Sequence, residues 1–201
     1  MANQNIGTPR FYTDQINFLM SRGIGQDGNF DVITGANLIG IQTGSEAELF
    51  DMRPLNKVDF DTSANTSDHV LINIDTQSTS TKKSFVAILN HNCNSADAKI
   101  LIKASNTEAH VQAVNMGSAT AMDTPVEVVN ADAIASSIVT PATDGSTIIK
   151  FTEQSLRYWG IQFEGNSSNT FSATDLFVGC IMIGEYYEMP HAPDMNITRM
   201  I

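Results

Sequence analysis

Val70-Leu71-Ile72-Asn73-Ile74 and Phe85-Val86-Ala87-Ile88-Leu89 decide the fold of this chain. Both are short, rich in β-branched residues and almost unbroken in apolar character, so each reads as a strand covered on both faces. Runs of the same kind continue: Ile100-Leu101-Ile102, His110-Val111-Gln112-Ala113-Val114, Val126-Glu127-Val128-Val129, Thr147-Ile148-Ile149-Lys150-Phe151, Tyr158-Trp159-Gly160-Ile161-Gln162-Phe163 and Leu176 through Ile183. Turn formers such as Thr143-Asp144-Gly145-Ser146 and Glu164-Gly165-Asn166-Ser167 separate them. About eight strands in regular succession predict an all-β sandwich of two packed sheets over residues 68–187.

On the N-terminal side, residues 1–67 show no sustained period and are expected to form an extended arm that packs on something else. Within it Ser45 through Met52 predicts one short helix, with Ser45 as N-cap, Glu48 completing a capping box and Pro54 ending it. Residues 188–201 contain Pro190 and Pro193 and read as an extended tail. Phe11, Tyr12, Ile16, Phe18, Leu19 and Met20 in the arm, with Met189, Pro190 and Met195 in the tail, are expected to form a subunit interface, because a lone monomer would have to hide or expose them.

Composition narrows the functions open to the chain. Its 201 residues suit one core plus arms. A formal charge of -11, from 22 acidic and 11 basic residues, repels a phosphate backbone and an anionic bilayer, so neither nucleic acid nor membrane is an expected partner. Arg10 and Asp14 interrupt any signal-like apolar stretch, which predicts a chain made in a cytoplasm. Cys93 and Cys180 lie in apolar strand-like surroundings and are expected as free thiols.

Three segments resemble, in order, modules of tailed-bacteriophage structural proteins: Phe85 through Asn92, Arg157 through Phe163, and Leu176 through Glu185. Together they are similar to the galactose-binding-like, or discoidin-like, jelly roll. Pro9-Arg10-Phe11-Tyr12 and the tail Met189 through Asp194 also resemble arms of phage virion proteins. The resemblance implies a virion structural component that contacts other virion proteins and copies of itself, located in the virion after assembly. The same fold also hosts sugar-binding modules, so a carbohydrate-binding module for host attachment is the alternative, with a glycan as partner.

No catalytic pattern emerges, and no enzyme, cofactor or metal is expected. Gly23-Ile24-Gly25-Gln26-Asp27-Gly28 has the G-x-G-x-x-G spacing but lacks the strand before and helix after that a phosphate site needs. Asp27, Asn29 and Asp31 alternate as in a calcium loop, yet Val32 and Leu38 stand where that loop needs glycine and glutamate. His69, His91, His110 and His191 are scattered, and His91 is expected to fix the turn at Asn90 and Asn92. Trp159 is expected to fill the core, with a sugar-stacking platform as the sharper alternative.

Overall fold

Side chains of a strand alternate between faces, and that period builds two inner surfaces here. The computed structural model describes residues 8–114, 119–122 and 125–191. Four strands come from the first third: β1 (Arg10–Asp14), β2 (Phe30–Ile33), β3 (Ile41–Thr43) and β4 (Val58–Phe60). The central strands β5 (Val70–Asp75), β6 (Lys83–His91) and β7 (Ala98–Ser105) follow. Short strands β8 (Thr120–Ala121), β9 (Glu127–Val129), β10 (Ala133–Ala135) and β11 (Ile138–Thr140) precede β12 (Gly145–Gln154), β13 (Tyr158–Gly165) and β14 (Leu176–Glu188). One sheet runs β3-β4-β14-β6-β12-β9, with β1 also on β14. The other runs β10-β11-β7-β13-β5-β2, with β8 also on β7, and all pairings are antiparallel. The fold is the expected all-β jelly-roll sandwich.

Ile72, Ile74, Ile100, Ile102, Ile161 and Phe163 of one sheet meet Val86, Ile88, Ile149, Phe151, Ile181 and Ile183 of the other. Trp159 is fully buried among them, its ring stacked on Phe151 at 5.4 Å and its indole N–H donated to the Leu156 carbonyl at 2.9 Å. This is the core-filling role, and it leaves no ring face for a sugar. Both cysteines are free and buried.

Residues 10–67 are not an extended arm. They supply β1 to β4 and the helix α1 (Gln15–Ser21), whose Ile16 and Leu19 are buried in the core. Asp14 caps α1 by accepting the Ile16 and Asn17 N–H groups. The expected helix at 45–52 is a single 3-10 turn, Glu46–Leu49, in which the Glu48 carboxylate accepts the Ser45 N–H at 2.8 Å. Its Leu49, followed by Phe50 packed on Phe30 at 5.6 Å, closes one side of the sandwich. The first third looked aperiodic because its strands are only 3–5 residues long, too short for a period to register.

The stretch 110–114 is also corrected: Glu108–Val111 forms the short helix α2 rather than a strand. Gly160 explains its position, since a Cβ there would meet the Val111 carbonyl at 2.9 Å, so α2 lies directly on the outer face of β13. Through Glu108, which accepts from Asn73 Nδ2 at 3.0 Å, α2 also reaches β5, which is buried at all six positions. On the opposite sheet Tyr12 of β1 packs edge-on against Phe85 of β6 at 4.9 Å.

Candidate functional site

On β13 the inward residues Trp159, Ile161 and Phe163 leave Gln162 and Glu164 on the outer face, opposite Leu101 and Lys99 of β7. There the outer surface opens into a cleft of about 450 Å³ lined by Ser67, His69, Val114, Gln162, Glu164, Ser168 and Asn169. It lies where the turns before β5, before β7 and after β13 meet. That end of the sandwich is opposite the β1–β14 pairing of Arg10 with Glu188, so it is remote from both ends of the described chain.

Each wall is fixed by its neighbours. His69 immediately precedes β5; its carbonyl accepts the Ile39 N–H at 2.8 Å and its own N–H goes to Asn37 O at 3.0 Å. Ser168 and Asn169 both adopt positive φ, 56° and 59°, in a tight turn closed by Thr170 N–H donating to Ser167 O. Gly165 permits that turn, because a Cβ there would lie 1.9 Å from the Thr170 backbone. Asp97 staples the loop by accepting from Asn166 Nδ2 and the Ser167 N–H, both at 3.2 Å, and these bonds hold its carboxyl below the ordinary range.

The floor is a connected polar network. Lys103, fully buried, donates from Nζ to Gln162 Oε1 at 3.0 Å and to Ala113 O at 2.6 Å. Gln162 Nε2 donates to Glu164 Oε2 at 3.1 Å. Lys99 Nζ donates to Asn169 Oδ1 at 2.9 Å and stands 3.4 Å from Glu164 Oε1. His69 Nδ1 is 3.5 Å from Glu164 Oε2, outside hydrogen-bond reach. Burial pushes the Lys103 amine down to about 8, with Glu164 opposing, and burial likewise lowers His69 against the pull of Glu164 and Asp68. Such an arrangement can hold a polar ligand by hydrogen bonds.

The residues expected to form a subunit interface do not come together as one patch. Ile16 and Leu19 lie in the chain's own core, and Tyr12 is half-buried against Phe85. Phe11, Phe18, Met20, Met189 and Pro190 are exposed; Met195 lies outside the described residues. Asp27, Asn29 and Asp31 shape a turn in which Asp31 accepts the Gly28 N–H and Asn29 Nδ2 donates to Gly25 O. Among the described residues no group of three or more His, Cys, Asp or Glu side chains is placed to hold a metal ion. His91 bonds not to Asn90 and Asn92 but to Cys93 N–H through Nδ1 and to Thr147 Oγ1 through Nε2.

Sequence reasoning missed Lys99, Lys103 and Glu164, and placed Gln162 only within its strand. The signal was the alternation itself: it puts Gln162 with Glu164, and Lys99 with Lys103, on outer faces. Nothing in the sequence said that these two strands are neighbours.

No protein-family model and no curated protein matches the sequence. Among solved structures, the chain is similar to chitosan-binding module 1 from a chitosanase/glucanase of Paenibacillus sp. IK-5, with 15% identity, 78% of this chain and 92% of that one covered, and a TM-score of 0.47. It is similar to CBM32-1 from a family 31 glycoside hydrolase of Clostridium perfringens, at 15% identity over 79% and 95% of the two chains with a TM-score of 0.48. It is also similar to the CBM32 of AlyQ in complex with 4,5-unsaturated mannuronic acid, at 14% identity over 76% and 95% with a TM-score of 0.42. These solved structures are described as carbohydrate-binding modules and none of the three as a virion protein; the expectation of a phage structural component is not borne out. Part of its physical premise fails, since Ile16 and Leu19 are covered by the chain's own core, while Phe11, Phe18 and Met20 stay exposed.

Proposed function

We propose that the protein is a non-catalytic glycan-binding module whose ligand seats in the cleft between β13, the turn before β5 and the turn after β13. The observation that carries this reading is the preformed set of amides, hydroxyls, an imidazole and a carboxylate around about 450 Å³. That volume falls within the usual range for small-ligand sites, and amides and hydroxyls on a rigid scaffold are the groups that pair with sugar hydroxyls. Among the described residues no aromatic ring lines the cleft. With a few hydrogen bonds at about 1 kcal/mol each, a single site therefore binds weakly, with Kd on the order of 1 mM.

The test is a glycan panel probed with the intact chain and with Asn169→Ala. Asn169 is exposed, so its loss leaves the core alone. Binding by the intact chain that the variant loses supports the reading; a glycan bound equally by both sinks it.

A second reading concerns self-association. Phe11 of β1 lies opposite Tyr187 of β14, and the two are 56% and 59% exposed. A pair of large aromatic side chains left open at the rim of a sheet suits contact with a second copy of the chain.

A further inference from the structure

We infer that the cleft selects acidic saccharides, the carboxylate of a uronic-acid ring being received by the amide N–H groups of Gln162 and Asn169. This rests on the glycan-binding reading and adds the ligand's charge to it.

A side-chain amide offers one oxygen acceptor and two N–H donors. In the cleft both amide oxygens are already engaged from beneath: Gln162 Oε1 by Lys103 Nζ at 3.0 Å and Asn169 Oδ1 by Lys99 Nζ at 2.9 Å. Each lysine thereby takes up part of its amide's acceptor capacity, while the amide hydrogens are left to other partners. Gln162 Nε2 uses one hydrogen on Glu164, leaving the second; Asn169 Nδ2 has no acceptor among the described residues, leaving two.

Among the described residues Glu164 is the one carboxylate at the cleft, and part of its acceptor capacity and charge is already engaged. Its Oε2 accepts from Gln162 and its Oε1 faces Lys99 at 3.4 Å. Of the charged groups in this network, Lys99 and Lys103 outnumber Glu164, although the whole chain carries -11. The serine hydroxyls of Ser67 and Ser168 can face either way. The two amides keep three N–H hydrogens free beside two ammonium groups, and each amide donor is polarised by the ammonium group on its own oxygen. A carboxylate, which only accepts and accepts strongly, matches that wall. A cationic amino sugar does not, because it brings donors and a positive charge toward two lysines.

The experiment is an NMR titration of the full chain at physiological ionic strength, where the chain's distant negative charges are largely screened. The probes are a galacturonic acid trisaccharide, its methyl ester and a glucosamine trisaccharide. The expected result is movement of the Gln162 and Asn169 side-chain amide resonances with the acid, at an affinity at least tenfold above the ester, and none with the amine. Asn169→Asp, which replaces a donor by an acceptor at an exposed position, should abolish acid binding while its backbone spectrum stays dispersed. Ester or amine binding in the cleft as tightly as the acid would overturn the inference and leave the glycan-binding reading standing. Cleft resonances unmoved by every saccharide, in a folded chain, would overturn both.

Discussion

Replacing Trp159 by alanine separates a core tryptophan from a sugar platform. The side chain is fully buried, stacks on Phe151 at 5.4 Å and donates its indole N–H to Leu156 O at 2.9 Å. Truncating a buried tryptophan costs about 3–5 kcal/mol. The lost indole hydrogen bond does not orphan the carbonyl, because Lys83 Nζ also donates to Leu156 O at 3.0 Å, so no further desolvation cost is added. A domain of this size loses roughly 2–4 °C of Tm per kcal/mol, which puts the expected fall near ~10–15 °C in a thermal melt followed by near-ultraviolet circular dichroism. The variant should still fold at low temperature and keep whatever glycan affinity the cleft confers. An unchanged Tm accompanied by loss of glycan binding would refute the core assignment.

Three further outcomes follow from the packing. His91 is buried with Nδ1 accepting the Cys93 N–H, and burial pushes its pKa from 6.5 to about 4. Between those values the unfolded chain takes a proton that the folded chain refuses, so stability present above pH 6.5 is lost as pH falls through 4. Urea denaturation should show His91 contributing a loss of about 2 kcal/mol from pH 7 to pH 5, and His91→Gln should remove that part of the slope. Gly165→Ala would drive a Cβ into the Thr170 backbone, so a loss of about 2 kcal/mol and displaced Ser168 and Asn169 amide resonances are expected; a wild-type spectrum would contradict the close approach. Light scattering of the intact chain against a Phe11→Ser, Tyr187→Ser double variant tests self-association: a concentration-dependent mass lost in the variant supports it, and two identical monomers dispose of it.

The sandwich was legible in the sequence because its central strands are long and unambiguous. Val70 to Ile74, Phe85 to Leu89 and Leu176 to Ile183 fall within β5, β6 and β14, and the alternation around Trp159 marks its inward side. The first third was not legible, since β3 and β4 are three residues long and gain their stability from β14 rather than from local pattern. The helix at Glu108–Val111 was hidden for a related reason: its place depends on Gly160, fifty residues downstream, leaving room for Val111. The cleft was the least legible part. Lys99, Lys103, Gln162 and Glu164 meet only because β7 and β13 pair, and an apolar-versus-polar reading treats such outward residues as ordinary surface.

Crystals of the full chain grown with a glycan it binds would show directly where the sugar sits. Ordered sugar density is expected in the cleft, within hydrogen-bond distance of Gln162 or Asn169 nitrogen atoms. A sugar seated at any other surface, with the cleft holding only solvent, would contradict it.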